Sequence, residues 1–282
     1  MQLSSIISSL EHYWETRGST VLPAFDMEVG AGTMAPYTFF RVLASRPANI
    51  CYVQPSRRPT DGRYGVNPNR VYKHMQMQLI IKPIPQNIQD LYIQSLEVLG
   101  LSSKEHDIRF IEDNWEAPTL GAWGVGWEVW LDGMEITQFT YFQQAGGIEL
   151  PEPAVEITYG LERLSLYIQE KSSIYEMQVG PQDNYHDIRF LDEKEQSIYA
   201  HELADTDRLF RIYDLFQEES QHCIDHRLVL PAYEYALKCS HVFNILDTRG
   251  ALSVNERARY LGRIRKLVKQ CASNFMEGEK NV

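Results

Sequence analysis

Apolar residues recur along the chain with two different spacings, and each spacing predicts one kind of secondary structure. Near the N-terminus they recur every three or four positions, which predicts an amphipathic helix over residues 3–14, and a similar pattern predicts a helix over 87–99. Short runs that are continuous or alternate with polar residues predict strands instead. These strands are expected at residues 50–54, 75–82, 107–112, 126–131, 135–143 and 157–160.

Strand patterns become sparse after about residue 170, where helical spacing takes over. Helices are expected at residues 196–225, 231–246 and 254–276. Because the earlier strands follow one another closely and do not alternate regularly with helices, we predict an α+β fold with a largely antiparallel sheet flanked by helices. We therefore divide the chain into a sheet-containing domain, residues 1–170, and an all-helical C-terminal domain, residues 171–282.

Composition limits the class of protein. Hydrophobic residues make up 44% and charged residues 23%, which is typical of a globular chain and excludes disorder as the dominant state. No apolar run approaches the roughly 20 residues that span a bilayer. The N-terminus also lacks the basic start of a signal peptide, so we expect no membrane contact. The four cysteines form no CxxC pair, which disfavours a structural zinc site and fits a reducing cytoplasm.

The connection between the first two predicted strands, residues 55–70, concentrates positive charge in an acidic protein. The whole chain has a net charge of −11, so its overall field does not attract nucleic acid. Residues 54–74 nevertheless hold one acid, Asp61, and five basic residues, which are Arg57, Arg58, Arg63, Arg70 and Lys73. Because guanidinium groups bind phosphate oxygens well, we interpret this Gly- and Pro-rich segment as either a phosphate-binding loop or a solvated surface loop.

Polar residues on the strands that follow mark a second candidate feature. Gln76 and Gln78 share one face of their strand beside the arginine-rich connection, and half-buried amides need hydrogen-bond partners. Those partners are either each other and the backbone, or a ligand. Glu135 lies inside a strand-like run, downstream of a group of tryptophans that includes Trp115. A carboxylate in such a position is costly unless it is paired or binds a metal.

The segment VEITYGLERLSLY marks a third candidate feature. Glu156 and Thr158 share a face of the last predicted strand, and Gly160 allows a tight turn from the strand into a helix. Arg163 then falls in the first helical turn, where a positive charge opposes the helix dipole. This arrangement indicates either a ligand with negative charge or a pairing between Arg163 and a nearby carboxylate.

Three strings, taken in their order along the chain, resemble a known family. They are YVQPSRRPTDGRYG followed by NPNR, then GWEVWLDGMEITQFTYFQQ, then EITYGLERL. Their order resembles the catalytic core of the class II aminoacyl-tRNA synthetases. The strings themselves resemble the α subunits of the bacterial tetrameric (α2β2) glycyl-tRNA synthetases, and the resemblance covers roughly residues 3–270.

This resemblance implies a fold, a reaction and a set of partners. The first domain would be a class II catalytic core, in which glycine and ATP, with Mg²⁺, give glycyl-adenylate and pyrophosphate. Glycine would then pass to tRNA(Gly) with the help of a beta subunit that carries much of the tRNA recognition. The first helix and Pro23 resemble the motif that forms the dimer interface in this class, so a homodimer of α chains within α2β2 is also implied.

The resemblance also implies roles for individual residues. The arginine that clamps the α-phosphate and the amino-acid carboxylate corresponds to Arg57 or Arg58, of which Arg58 is preferred. The other residues implied for ATP and Mg²⁺ are Arg70 for the terminal phosphate, Arg163 for adenine and phosphate, and Glu135 for the metal ion. The residues implied for glycine are Glu156, which would bind the ammonium group, and the further candidates Thr158, Gln76, Gln78 and Trp115.

The residues leave two other functions open. One is a synthetase paralogue that adenylates a different carboxylate and charges no tRNA. The other is a non-catalytic scaffold in which the arginine-rich connection binds an acidic protein. Glycine-dependent exchange of pyrophosphate into ATP would distinguish the glycine enzyme from the paralogue. Exchange that stays intact in both Arg58→Ala and Arg163→Ala would favour the scaffold.

Overall fold

The computed structural model describes residues 1–279, which form eight α-helices and eight β-strands. The strands are β1 (Thr20–Val21), β2 (Ala48–Arg57), β3 (Lys73–Lys82), β4 (Ile108–Ala117), β5 (Ala122–Leu131), β6 (Met134–Ala145), β7 (Ile148–Glu149) and β8 (Val155–Gly160). The helices are α1 (Leu3–Glu15), α2 (Pro36–Leu43), α3 (Ile88–Glu97), α4 (Leu161–Ile168), α5 (Tyr185–Ile198), α6 (Thr206–Asp225), α7 (Val229–Thr248) and α8 (Val254–Glu279).

All eight strands belong to one sheet, in the order β1-β2-β3-β8-β6-β5-β4, with β7 paired to β6. Paired strands are antiparallel throughout, except that β1 runs parallel to β2. The predicted α+β fold with a largely antiparallel sheet is therefore confirmed. At the centre of the sheet, Gln78 lies opposite Thr158, which in turn lies opposite Gln138. The register thus places three polar side chains in one row across β3, β8 and β6.

Helices cover both faces of the sheet and bury a hydrophobic cluster on each. On one face, α1 and α3 contribute Trp14 and Tyr92 to the first cluster. On the other, α2 and the C-terminal helices contribute to the second, in which Tyr233 is central. Successive residues of β3 alternate between the clusters, with Leu79 in the first and Ile80 in the second, as the period of a strand requires. The C-terminal helices therefore share a core with the sheet, and the division at residue 170 stays a prediction.

The predicted helix over residues 196–225 is not continuous, because residues 196–198 end α5 and Thr206–Asp225 form α6. A π-helical turn, Tyr199–Leu203, separates α5 from α6, and Asp205 caps the new helix by accepting a hydrogen bond from the backbone of its first turn.

The string HDIRF occurs twice in the chain. At residues 106–110 it leads into β4, and at residues 186–190 it lies within α5. Its two structures show that these five residues alone do not decide the conformation of the string.

The arginine-rich connection begins and ends later than the predicted residues 55–70, at residues 58–72. It was expected to begin at residue 55, but Pro55, Ser56 and Arg57 continue β2 by pairing with β3. We call the remaining segment, residues 58–72, the arginine loop. It connects the neighbouring antiparallel strands β2 and β3, so it begins and ends at the same end of this strand pair.

The described part of the chain, residues 1–279, contains no helix that is both long enough and apolar enough to cross a bilayer.

All four cysteines are free and buried. Burial raises the pKa of Cys51 to about 12, so this thiol stays protonated and unreactive near neutral pH.

Candidate functional site

A cavity of about 670 Å³ opens between the arginine loop, the central strands β3, β8 and β6, and the start of α4. Nine of the ten predicted site residues line it, namely Arg58, Arg70, Gln76, Gln78, Trp115, Glu135, Glu156, Thr158 and Arg163. The tenth, Arg57, lies outside. Two other grooves, of about 610 and 470 Å³, contain none of the ten. The structure therefore brings the arginine loop and the strand-to-helix turn before Arg163 to one place.

Arg57 and Arg58 are adjacent but point to opposite sides, because side chains alternate along extended backbone. Arg58 lines the cavity and donates from Nε to the backbone oxygen of Gly30 at 3.1 Å. Arg57 faces Glu28, with 3.7 Å between Nη1 and Oε1. Desolvation by the surrounding protein lowers the pKa of Arg58, and repulsion from Arg163 adds to this effect. Arg58 remains a cation, and it is the member of the pair that a ligand in the cavity would meet.

Arg70 lies near the end of the arginine loop, at the rim of the cavity. Its Nε and Nη2 atoms lie 2.9 and 2.7 Å from the same oxygen, Oδ1, of Asp61. The Arg70 side chain is 58% exposed and the Asp61 side chain 19%. The ion pair therefore fixes the direction of the guanidinium group and leaves much of its surface open to the cavity.

Arg163 and Glu135 form an ion pair across the cavity wall. Nη1 of Arg163 lies 2.6 Å from Oε2 of Glu135 and 3.0 Å from the backbone oxygen of the same residue.

His74 on β3 lines the same cavity. Burial, and then the charges of Arg58 and Arg163, lower the pKa of His74 to about 3. The imidazole is therefore neutral near neutral pH. As a single histidine without a motif, His74 carried no sequence signal of a site.

Glu156 is a buried acid, 1% exposed, in the wall of the cavity. Thr33, from the 3-10 turn Gly32–Met34, places its hydroxyl 2.8 Å from both carboxylate oxygens. Burial raises the pKa of Glu156 to about 8, although the hydroxyl groups of Thr33 and Thr158 oppose the shift. A cationic ligand beside this carboxyl would favour its ionised form. Thr33 was not predicted, because its turn carries no pattern that links it to β8.

Gln76 and Gln78 both line the cavity but differ in their hydrogen bonds. Oε1 of Gln76 accepts from the backbone N–H of Gly32 at 3.0 Å and from the Ser56 hydroxyl at 2.7 Å. Gln78 is fully buried, and its Oε1 accepts from the Thr158 hydroxyl at 3.0 Å. Its Nε2 has no hydrogen-bond partner in the protein. A buried N–H group without a partner is costly, so Gln78 offers a donor that a ligand oxygen can satisfy.

Two further residues, Trp115 and Glu162, line the cavity. Trp115 on the edge strand β4 packs edge-to-face on Phe142, with 5.5 Å between ring centroids. Glu162, next to Arg163, was not assigned a role from the sequence. It accepts from the backbone N–H of Met75 and from the Tyr185 hydroxyl, each at 2.7 Å, while burial raises its pKa. Glu162 therefore ties the first turn of α4 to β3 and α5, and so holds its neighbour Arg163 in place.

Comparison with known proteins finds relatives over nearly the whole chain. The curated glycine–tRNA ligase alpha subunit of Coprothermobacter proteolyticus is 52% identical over 277 residues, which cover 98% of this chain and 95% of that protein. Two solved structures of a pyrrolysyl-tRNA synthetase from Desulfitobacterium hafniense are 14% identical and cover 64% of this chain. Their TM-scores are 0.44 and 0.46, over 71% and 75% of those chains.

A family model described as glycyl-tRNA synthetase alpha subunit matches residues 3–280. This match includes the arginine loop, the central strands and the turn before α4, which together form the cavity. The chain therefore belongs to the glycyl-tRNA synthetase alpha subunit family.

Proposed function

We propose that this chain is the catalytic alpha subunit of a glycine–tRNA ligase. In the proposed reaction a carboxylate oxygen of glycine attacks the α-phosphorus of ATP, and the bond to the bridging oxygen breaks as pyrophosphate leaves. The resulting glycyl-adenylate then passes glycine to the 3′ end of tRNA(Gly). The observation that carries the proposal is the convergence of Arg58 and Arg163 on one cavity with Glu135 and Glu156. Guanidinium groups suit phosphates, and carboxylates suit a metal ion and an ammonium group.

The arginines would bind ATP and stabilise the charge that develops on its phosphates. This reaction needs positioning and charge stabilisation more than a protein nucleophile. We assign Arg58 to the α-phosphate and the glycine carboxylate, because its guanidinium group lines the same cavity as Arg163 and Glu156. Arg163, whose side chain is 52% exposed, would stack on adenine and contact phosphate. Arg70 would contact the terminal phosphate, and Arg57, paired outside the cavity, receives no role in binding ATP.

Glu135 would hold the Mg²⁺ ion that accompanies ATP. Within residues 1–279, no group of three or more His, Cys, Asp or Glu side chains could bind a metal by itself. Mg²⁺ is commonly held by one or two carboxylates plus phosphate oxygens, so a single acid in the cavity fits an ion whose other ligands come from ATP and water. When bound, the ion would neutralise phosphate charge. The Glu135 side chain is 33% exposed, which leaves its carboxylate accessible.

Glycine would bind between Glu156 and Gln78. The ammonium group of glycine would pair with the Glu156 carboxylate, and the unpaired Nε2 of Gln78 would donate to a carboxylate oxygen of glycine. Thr158 would orient Gln78 through their hydrogen bond, while Gln76 and Trp115 complete the wall. Every competing amino acid is larger than glycine. A rigid wall excludes an added methyl group by overlap, at about 1–3 kcal/mol.

The proposed partners follow from family membership and from charge. An alpha subunit implies a beta subunit and tRNA(Gly), and we propose that two α chains form a homodimer within an α2β2 assembly. Because the chain carries a net charge of −11, it has little attraction for RNA by itself. We therefore propose that the beta subunit supplies most of the contact with tRNA. The proposed compartment is the cytoplasm, and residues 1–170 would form the adenylating core.

Two assays test the proposed function. In the first, the chain is incubated with ATP, pyrophosphate and either glycine or alanine, and glycine alone should support exchange of pyrophosphate into ATP. Equal exchange with both amino acids, or none with glycine, would contradict the proposal. In the second, charging of tRNA(Gly) is measured with and without the beta subunit. Full charging by the isolated chain would refute the proposed division of labour.

A further inference from the structure

A buried carboxylate on α5 joins two separate points of the arginine loop. Glu193 is 4% exposed. Its Oε1 accepts from the backbone N–H of Arg63 at 2.7 Å, and its Oε2 accepts from the backbone N–H of Tyr72 at 2.6 Å. Ser197, one helical turn later, donates to Glu193 at 3.2 Å and accepts from the backbone N–H of Tyr64 at 3.0 Å. Two side chains of α5 therefore bind three backbone N–H groups of the loop.

Two glycines allow the arginine loop to approach α5 this closely. A Cβ atom at Gly62 would lie 2.7 Å from Oγ of Ser197, and one at Gly65 would lie 2.4 Å from the ring of Phe190. Gly65 also has a φ of +79°, a left-handed backbone conformation that residues other than glycine rarely adopt. The loop therefore lies on α5 in a conformation that depends on glycine at these two positions.

Further hydrogen bonds connect the residues that Glu193 holds to Arg58 and Arg70, the two arginines of the loop that line the cavity. The backbone N–H of Arg58 donates to the backbone oxygen of Tyr72 at 2.7 Å, and that of Asp61 donates to the backbone oxygen of Arg58 at 2.9 Å. Asp61 in turn binds the guanidinium group of Arg70. Glu193 itself does not line the cavity, so it acts on the site only through the backbone of the loop.

We infer that Glu193 is a positioning residue for ATP, which sets the placement of Arg58 and Arg70 by holding both halves of the arginine loop against α5. The inference rests on the proposed function, because ATP is the ligand assigned to these arginines. A carboxylate accepts hydrogen bonds with both oxygens, whereas an amide accepts with one and donates from the other atom. Glu193→Gln would therefore leave the N–H of either Arg63 or Tyr72 facing another donor, in a buried position.

The test uses the full-length chain with the beta subunit present, and compares three variants. Glu193→Gln removes one acceptor, Ser197→Ala removes the supporting hydroxyl, and Glu195→Gln makes the same chemical change as the first at an exposed position of α5. Two quantities are measured for each. The first is the KM for ATP and for glycine in pyrophosphate exchange. The second is the rate at which trypsin cleaves after Arg63 and Arg70 without substrates, which reports on the loop and not on catalysis.

Glu193→Gln should raise the KM for ATP about tenfold, since a buried donor loses its acceptor, and should change the KM for glycine less than about twofold. Trypsin should cleave the loop of this variant faster than that of the parent chain. Ser197→Ala should show both effects more weakly, and this variant still tests the inference if Glu193→Gln does not fold. Glu195→Gln should match the parent chain in both measurements.

An unchanged KM for ATP with unchanged cleavage, or equal increases in both KM values, would overturn the inference. A parent chain without glycine-dependent exchange would instead refute the proposed function, and the cleavage rates would then decide whether Glu193 holds the loop.

Discussion

Arg163 and Glu135 hold each other in place on the wall of the cavity, with the guanidinium group bonded both to the carboxylate at 2.6 Å and to the backbone oxygen of the same residue at 3.0 Å. The pair joins the first turn of α4 to β6. Both members are assigned to the same ligand, since Arg163 would contact the ATP phosphates and Glu135 their metal ion. Each charge compensates the other in the free chain, and the two would separate to bind phosphate and Mg²⁺ respectively.

Glu135→Gln should raise the Mg²⁺ concentration that gives half-maximal pyrophosphate exchange by about tenfold, because a neutral amide is a weaker magnesium ligand than a carboxylate. The measurement is a titration of exchange with Mg²⁺ at saturating ATP and glycine. Glu128→Gln is the matched control, since Glu128 lies on the neighbouring strand β5 and accepts from Trp130 at 2.9 Å. Identical titrations for the two variants would show that Glu135 does not hold the ion.

Glu156→Gln should raise the KM for glycine by about 10- to 100-fold, because an amide cannot neutralise the ammonium group in a buried site. The KM for ATP should change much less. Both constants come from the exchange assay, with Glu149→Gln as the control, since Glu149 is an exposed residue of β7. Should the KM for glycine stay at the parent value, the assignment of Glu156 to the ammonium group is wrong.

The raised pKa of Glu156 also predicts how stability depends on pH. The folded chain binds the Glu156 proton up to about pH 8, whereas the unfolded chain releases it near the ordinary value of 4.5. Between these values the unfolded state binds fewer protons, so the free energy of unfolding falls as the pH rises. Relative to Glu156→Gln, the parent chain should lose roughly 3–5 kcal/mol of stability between about pH 5 and about pH 8, at about 1.4 kcal/mol per pKa unit.

Urea unfolding of both proteins across this pH range, without glycine, measures the difference. The difference should level off above about pH 8, where Glu156 is ionised in both the folded and unfolded states. A difference that is constant with pH would mean that Glu156 already ionises in the folded chain near its ordinary pKa.

The sequence predicts the sheet and most of the cavity because both depend on short-range patterns. The apolar alternation of β3 places Gln76 and Gln78 on one face, and Arg163 falls in the first turn of α4, directly after β8. Gly160 itself has a φ of −82°, which any residue can adopt, so the turn does not depend on glycine. Each pattern lies within one strand or one turn, so it can be read without knowledge of the fold. Resemblance to a family then relates these segments to one another.

Contacts between segments that are distant in the chain could not be predicted in this way. Thr33 meets Glu156, and Glu193 meets Arg63, only because the fold brings together elements that share no local pattern. The two copies of HDIRF show the same limit, because the string leads into a strand at one site and lies in a helix at the other. The choice between Arg57 and Arg58 likewise required the direction of each side chain at the end of β2.

The most direct measurement is glycine-dependent pyrophosphate exchange by three single variants, Arg58→Ala, Arg163→Ala and Arg57→Ala, each compared with the parent chain. Arg58 and Arg163 share the cavity, whereas Arg57 faces Glu28 outside it. The first two variants should lose about 100-fold or more in kcat/KM, as expected for removal of a group that stabilises developing charge, and Arg57→Ala should stay within about threefold. Exchange that survives both Arg58→Ala and Arg163→Ala, or that falls equally in Arg57→Ala, would contradict the convergence of these arginines on one triphosphate.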